Sequence, residues 1–476
     1  MTARTLRVGL CGIGLDAYWP QFESLRGRLE GYVDQVSARL ERGGGATVVK
    51  LGLVDTPQRG REAGHACRRG DVDLLIVYVT TYALSGTVLP MVQIARVPVL
   101  VLNLQPAAAI DYDAFNRLPD RTAMTGEWLA FCSACPIPEI ANVLRRAQIP
   151  FHQVTGVLGD GATWAEIDEW IDAAHVRKAL ESNRLGLMGH YYGGMLDIAT
   201  DLTQVAITFG CHLEQLEVDE LSALRAEVVD KEIEDRVAAF RDHFDVQPDC
   251  SDMELARAAR TSVALDRLVD RHDLQSLAYY AMGRGVATNE DTMSSIILGT
   301  SLLTARGIPV AGEYEVKNVL AMKIMDELGA GGSFTEYYAL DLNLDHVLMG
   351  HDGPGHIAIA QSKTKVRPLT VYHGKVGSGL SVEMSVKHGP ATLLSVVEDP
   401  NRGFKLVVAQ GESVPGETLR IGNTNSHYRF PAGARGFVEA WNAHGPAHHC
   451  AVGIGHQAAR LKKLADLLQV PFNQVC

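Results

Sequence analysis

Long apolar runs are missing from this chain of 476 residues. A membrane-spanning helix needs about 20 consecutive apolar residues, and no stretch approaches that length. Basic charge is not in excess either: 44 Lys and Arg stand against 56 Asp and Glu, a formal net charge of −12. Nucleic acids and anionic membranes select for basic surfaces, so neither is an expected partner. Cysteine is sparse, with 8 scattered residues that suggest reduced thiols rather than a disulfide framework. Cys132 and Cys135 form a lone C-x-x-C in "FCSACPIPEI". Zinc would need further ligands and redox use a thioredoxin-like context, so the structural reading of that pair is favoured. The opening "MTARTLRVGLCGIGLD" lacks an apolar core long enough for a secretory signal, and a cytoplasmic location is expected. In the same stretch, Gly12 and Gly14 have no third glycine, which leaves a dinucleotide fingerprint incomplete.

What is present is an ordinary globular composition, 46% apolar and 21% charged, on a chain too long for one core. Its patterning predicts three domains: an N-terminal α/β domain over 1–180, a central α/β domain over 181–312 and a C-terminal domain over 313–476. "LRVGLCGIG", "ATVVKLGLV", "DLLIVYV" and "VPVLVLNL" read as buried strands of a parallel sheet separated by helix-length connections. Asp16, Tyr18 and Trp19 follow the first strand, where such sheets hold small ligands. A second unit restarts at Arg184: "RLGLMG" reads as a strand, "YYGGMLDIATDLTQVAITFG" as helical and "CHLEQLEV" as the next strand. The charged segment Asp219–Asp242 has helical spacing with a solvated face.

Beyond Gly312 the pattern changes. "EYEVKNVLAMKIMDEL" is a helix with Val316, Leu320 and Ile324 four apart, and period-two strands follow. "GPATLLSVVEDPNRGFKLVVAQGE" reads as a hairpin turning at Asp399–Gly403, and "HQAARLKKLADLLQV" as a closing helix. The fold class expected is therefore α/β: two Rossmann-like parallel-sheet domains, then an antiparallel, barrel-like C-terminal domain.

Histidine is concentrated in that last domain: 10 of the 17 fall after residue 312. In "SFTEYYAL", read as a strand, Phe334, Glu336, Tyr338 and Leu340 share one face. Glu336 is then an inward carboxylate, costly to bury unless paired or bound to a cation. In "RPLTVYHGK", His373 shares a face with Leu369 and Val371. "MGHDGPGH" is a glycine-rich turn exposing His351, Asp352 and His356, and "AHGPAHHCAVGIGH" sets His448 and His449 at the mouth of another apolar strand. Each histidine alone reads as a hydrogen-bonded core residue. Together, oxygen and imidazole donors without thiolate suit Mn²⁺, Mg²⁺ or a related divalent cation.

These residues also carry a resemblance. "AGEYEVKNVLAMKIM", "GGSFTEYYALD" and "DHVLMGHDGPGHIA" resemble the matching region of the L-arabinose isomerases and, more distantly, the L-fucose isomerases. "GHYYGGMLDIATDLTQVAITFG" is similar to a segment of their second domain, in which Met195 falls on a substrate-lining methionine. The resemblance implies an aldose–ketose isomerase with Mn²⁺ or another divalent cation as cofactor, assembled as a homotrimer or homohexamer on a small sugar substrate. It assigns the metal to Glu336, Asp352, His373 and His449, with Glu336 and Asp352 as the acid–base pair and Tyr18 and Met195 lining the sugar. Asp352 takes its place when the segment is aligned back from "IA"; aligned forward from the histidine, Met349 falls there and no carboxylate remains. Alternation with Val452 and Ile454 would turn His448 inward, whereas the family position favours His449. Glu313 falls beside the ligands, or is simply an acid at a helix start.

Two departures bear on the sugar. Thr125, Gly126, Glu127 and Trp128 stand where the arabinose enzymes carry an "AHGD" histidine, and Leu15 replaces their "SQHLYG" glutamine, although Tyr18 keeps the tyrosine. The expected substrate is therefore not L-arabinose but a substituted hexose, 6-deoxy or 6-sulfonated, such as sulfoquinovose. The alternatives are a sugar-binding or regulatory relative without turnover, and a metal-dependent hydrolase.

Overall fold

The computed structural model describes residues 5–42, 45–282, 285–370, 377–399 and 403–476. The chain forms two compact units, Met1–Lys178 and Ala179–Cys476. No helix among the described residues is long and apolar enough to cross a membrane.

In the first unit, β1 (Leu6–Ile13), β2 (Ala46–Val54), β3 (Leu74–Val79), β4 (Val99–Gln105) and β5 (His152–Val157) make one parallel sheet in the order β2-β1-β3-β4-β5. The apolar runs behave as expected for strands covered on both faces: every residue of β3 is buried. Helices such as Pro57–Arg69 and Ser85–Ala95 return the chain between strands, the former capped by the Thr56 hydroxyl, which accepts from the Arg59 amide.

The second unit begins with another parallel sheet. It is built from β6 (Arg184–Gly189) and β7 (His212–Leu216), and, after the two-residue β8 (Asp245–Val246), from β9 (Ser276–Tyr280) and β10 (Val310–Ala311), in the order β10-β9-β6-β7. The stretch expected to be helical from Tyr191 is helical only over Leu202–Phe209. Gly193 and Gly194 favour a loop over a helix, and Gly194 takes a φ of +98°. The helix starts only where Asp201 caps it, accepting from the Thr203 and Gln204 amides. The charged segment is two helices, Val218–Ala226 and Asp230–His243.

A closed antiparallel barrel follows. Its strands are β11 (Gly331–Asp341), β12 (His346–His351) and, after the separate pair β13 (Lys365–Leu369) and β14 (Gly379–Glu383), β15 (Gly389–Asp399), β16 (Gly403–Val414), β17 (Thr424–Arg429) and β18 (Cys450–Ile454). The order β15-β18-β11-β12-β17-β16 closes through the β15–β16 pairing, and β19 (Phe472–Gln474) adds to β16. The hairpin expected at Asp399–Gly403 is present, with Asp399 opposite Gly403. The helix Gly433–Ala443 places Phe437 and Trp441 in the barrel core, and the helix Ala458–Leu468 follows β18.

The helix Val316–Glu327 is buried on every side, including Lys317, Asn318 and Lys323. It packs so closely that a Cβ on Gly453 would lie 2.4 Å from Met325 Cε. Bulge-like slippage between Tyr337 and Ala339 interrupts the alternation of β11. Before it, Phe334 is buried and Glu336 half-buried; beyond it, Leu340, expected on the same inward face, is exposed.

Candidate metal centre

Five segments of the second unit bring donors together. Glu336 comes from β11, His351 ends β12, and His448 and His449 immediately precede β18. Glu313 follows β10 by two residues, in a turn where it and Tyr314 both take left-handed φ values, 58° and 62°. Such backbone costs on the order of 1–3 kcal/mol per residue and concentrates at functional sites. A bond from the Tyr314 amide to the Tyr279 carbonyl, at 3.0 Å, ties this turn to β9. The fifth segment is the loop after β6, which contributes Asp197.

Donor atoms of Glu336, His351 and His449 all lie within 4.8 Å of one another, as do those of Glu313, His448 and His449. Glu313 Oε2 is 3.3 Å from His449 Nε2, and its Oε1 is 3.9 Å from His351 Nε2. His448 Nε2 is 3.9 Å from Glu313 Oε2 and 4.0 Å from Glu336 Oε2. The Phe334 ring packs against both buried imidazoles, with centroids 4.4 Å from those of His351 and His449.

His351 Nδ1 is 2.7 Å from the Asp352 carbonyl oxygen, which only accepts, so Nδ1 carries the hydrogen and Nε2 presents a lone pair. His449 sits between two carboxylates, its Nδ1 3.4 Å from Glu315 Oε2 and its Nε2 3.3 Å from Glu313 Oε2, and the buried Nε2 makes no hydrogen bond. With Nδ1 as the donor to Glu315, Nε2 turns a lone pair toward Glu313, an arrangement that a cation between them would satisfy. Imidazoles held from behind by a carboxylate and a carbonyl are the arrangement metal-binding histidines use. The donor set therefore fits a divalent ion.

Electrostatics agree. Burial, reinforced by His449, pushes the His351 pKa down to about 3, and burial with His448 holds His449 well below its usual range. Both are thus neutral, the form that ligates. Burial and the nearby Asp352 raise Glu336 to about 7. Burial likewise raises Glu315 to about 7, against the opposing pull of Lys317.

Of the residues singled out from the sequence, Glu336 and His449 lie in this cluster. Asp352 stands at its rim, 3.6 Å from His351 Nδ1, and is in neither group of converging donors. His373 falls outside the described residues. His351, expected in an exposed turn, is instead the buried last residue of β12, because pairing with β17 extends the strand through it. His356 is buried as well, 3.4 Å from Asp326 Oδ1, and so belongs to the core. Met195 lies half-buried in the loop after β6. Tyr18 lies in the first unit, half-buried, its ring edge-on to Phe22 with centroids 6.2 Å apart. The sequence places His351 among the candidate imidazoles, but the ligand set implied by the resemblance leaves it out, and Glu313 is given only a supporting place. The "GE" that ends a short strand and precedes a helix was the available signal for Glu313.

Comparison with known proteins shows what the chain is similar to. Residues 331–471 match the L-arabinose isomerase C-terminal domain family. An L-arabinose isomerase of Nocardioides sp. is 24% identical over 83% of this chain and 78% of its own length. A sulfoquinovose isomerase of Priestia aryabhattai is 22% identical over 58% of this chain and 60% of its own, and an L-arabinose isomerase of Mycolicibacterium smegmatis is 27% identical over 56% and 54%. The chain is thus similar to the L-arabinose isomerases at low identity, and residues 331–471 match their C-terminal domain.

Proposed function

We propose that the chain is a divalent-metal-dependent aldose–ketose isomerase, with Mn²⁺ the first cation to test. Two overlapping sets of converging donors, Glu313 with His448 and His449 and Glu336 with His351 and His449, carry this reading. Oxygen and imidazole donors without thiolate suit Mn²⁺ or a related ion. When bound, the cation supplies polarisation of the sugar carbonyl and a fixed orientation for O1 and O2.

Interconverting aldose and ketose moves one proton between C1 and C2 and another between O1 and O2. Glu336, raised to about 7, takes the proton from one carbon and returns it to the other, a task for which a pKa near neutrality is best suited. Glu313 serves the oxygen-bound proton. This moves the second carboxylate from Asp352 to Glu313 and leaves Asp352, at the rim, to receive sugar hydroxyls. Tyr192 and Tyr280, with centroids 4.8 Å apart, wall the adjoining cavity and offer the apolar face that sugar C–H groups pack on.

The substrate in this reading is a substituted hexose rather than L-arabinose. The changes at Leu15 and Thr125–Trp128 favour that, and the relation to a sulfoquinovose isomerase makes a 6-sulfonated sugar one candidate. Among the described residues lining the cavity none is a lysine or arginine that would pair with a sulfonate; Arg284 and Lys375 fall outside the described residues. A 6-deoxyhexose is therefore the other candidate. The family resemblance leads us to expect a trimer or hexamer, and light scattering that finds a stable monomer would contradict it.

The test is incubation with Mn²⁺ in D₂O and a panel containing L-arabinose, 6-deoxyhexoses and 6-sulfonated hexoses, with NMR detection of deuterium at C1 or C2. Exchange with at least one sugar is expected. Saturable sugar binding with no exchange would instead identify a relative that binds sugar without turning it over.

A further inference from the structure

His448 and His449 are held from behind by carboxylates on two distant segments. Glu315, immediately before the helix Val316–Glu327, accepts from His449 Nδ1 at 3.4 Å. Asp197, on the loop after β6, accepts from His448 Nδ1 at 2.6 Å and from the His448 amide at 3.0 Å. One ammonium joins the two. Lys317 is buried in the first turn of the helix. Its Nζ donates to the Asp197 carbonyl at 2.7 Å and the Ala199 carbonyl at 3.1 Å, and lies 3.7 Å from Glu315 Oε1.

A lysine is almost never fully buried unless paired, and this one donates to two main-chain carbonyls while its charge faces a carboxylate 3.7 Å away. The loop it grips has no helix or strand of its own between Gly189 and Leu202. We infer that Lys317 is a positioning residue of the candidate site: it closes a ring from His449 through Glu315, Lys317, the Asp197–Ala199 backbone and the Asp197 carboxylate to His448, and thereby fixes the direction of both imidazoles. Without its ammonium, two carbonyls lose their donor and Glu315 its counter-charge, so the loop that carries Asp197 loosens. Both rings then point with less precision, although neither ligand has been altered.

The inference rests on the metal-site reading above, and its test separates the two. In the metal-free protein labelled with ¹⁵N-histidine, the Nδ1 proton of His448 shared with Asp197 gives a ring resonance, assigned by its loss in Asp197→Ala. Lys317→Met keeps the length and bulk of the side chain while removing the charge. It is expected to broaden or abolish that resonance and to weaken Mn²⁺ binding by about 10–100-fold, the usual cost of losing a group that orients a ligand. Glu315→Gln/Lys317→Met removes the buried carboxylate charge as well and retains an amide oxygen for His449, so the same readings can be taken should the single variant fold poorly. A Lys317→Met protein with the wild-type ring spectrum and wild-type Mn²⁺ affinity would overturn the inference. Wild-type protein that binds no Mn²⁺ would sink the metal reading, while the ring spectrum of the metal-free variant still decides the role of Lys317.

Discussion

Both units contain a parallel sheet with polar side chains just past its strand ends, yet the two ends differ in how those side chains are used. In the first unit the buried Asp55, which follows β2, accepts from Trp19 Nε1 at 2.7 Å and from Arg59 Nη1 at 3.0 Å. Trp19, Asp55 and Arg59 satisfy one another there. In the second unit Glu313, past β10, turns an oxygen toward the unpartnered Nε2 of His449. The same architecture thus gives a self-satisfied packing corner in one place and a set of converging acceptors in the other. A fold does not assign function; a buried polar atom with no protein partner points to what is missing.

The sharpest way to break the comparison is Glu336→Gln, which keeps size and an oxygen but removes the proton carrier. A loss of turnover of about 10²–10⁴-fold is expected, read as the rate of deuterium incorporation. Undiminished turnover would remove Glu336 from the chemistry. Glu313→Gln and Asp352→Asn sharpen the assignment of the second carboxylate. Titration calorimetry is expected to find the larger loss of Mn²⁺ affinity in Glu313→Gln, and the reverse order would restore Asp352 as the ligand.

Metal removal comes next in size. Mn²⁺ at 100 times its dissociation constant stabilises the native state by about 2.7 kcal/mol, so chelation should lower the melting temperature of the second unit and Mn²⁺ restore it. Asp55→Asn in the first unit weakens a buried hydrogen-bonded group, at a cost of about 1–3 kcal/mol, and Mn²⁺ should not reverse that loss. A melting curve indifferent to both chelator and Mn²⁺ would erase the distinction between the two sheet ends.

The smallest effect lies away from the site. Burial opposes ionisation of Glu220, but hydrogen bonds from His272 and Arg271 outweigh it and hold the carboxyl below its usual range. A depressed folded-state pKa contributes stability above the unfolded value and loses it as pH falls through the folded one. Urea midpoints are therefore expected to fall less steeply below about pH 4.3 in Glu220→Gln than in the wild type. Identical acid limbs in the two proteins would show that this pair contributes nothing.

Local pattern by itself determined the strands β1 to β4, the restart at Arg184, the β15–β16 hairpin and the inward face of Phe334 and Glu336. Period and apolar run length are properties of neighbouring residues, and short-range sterics and burial act on them directly. Histidine enrichment likewise pointed to the C-terminal domain. Only the tertiary structure decided which donors meet. His351 looked exposed beside three glycines, and its burial comes from pairing with β17, more than 70 residues further along. Glu313 looked like an acid at a helix start, and its left-handed turn is fastened by a bond to β9. The ring through Asp197, Lys317 and His448 joins segments more than 100 residues apart. Such meetings depend on how whole sheets and helices pack, and no local spacing encodes them, because a side chain's partners across a core are chosen by long-range burial and not by its neighbours in the chain.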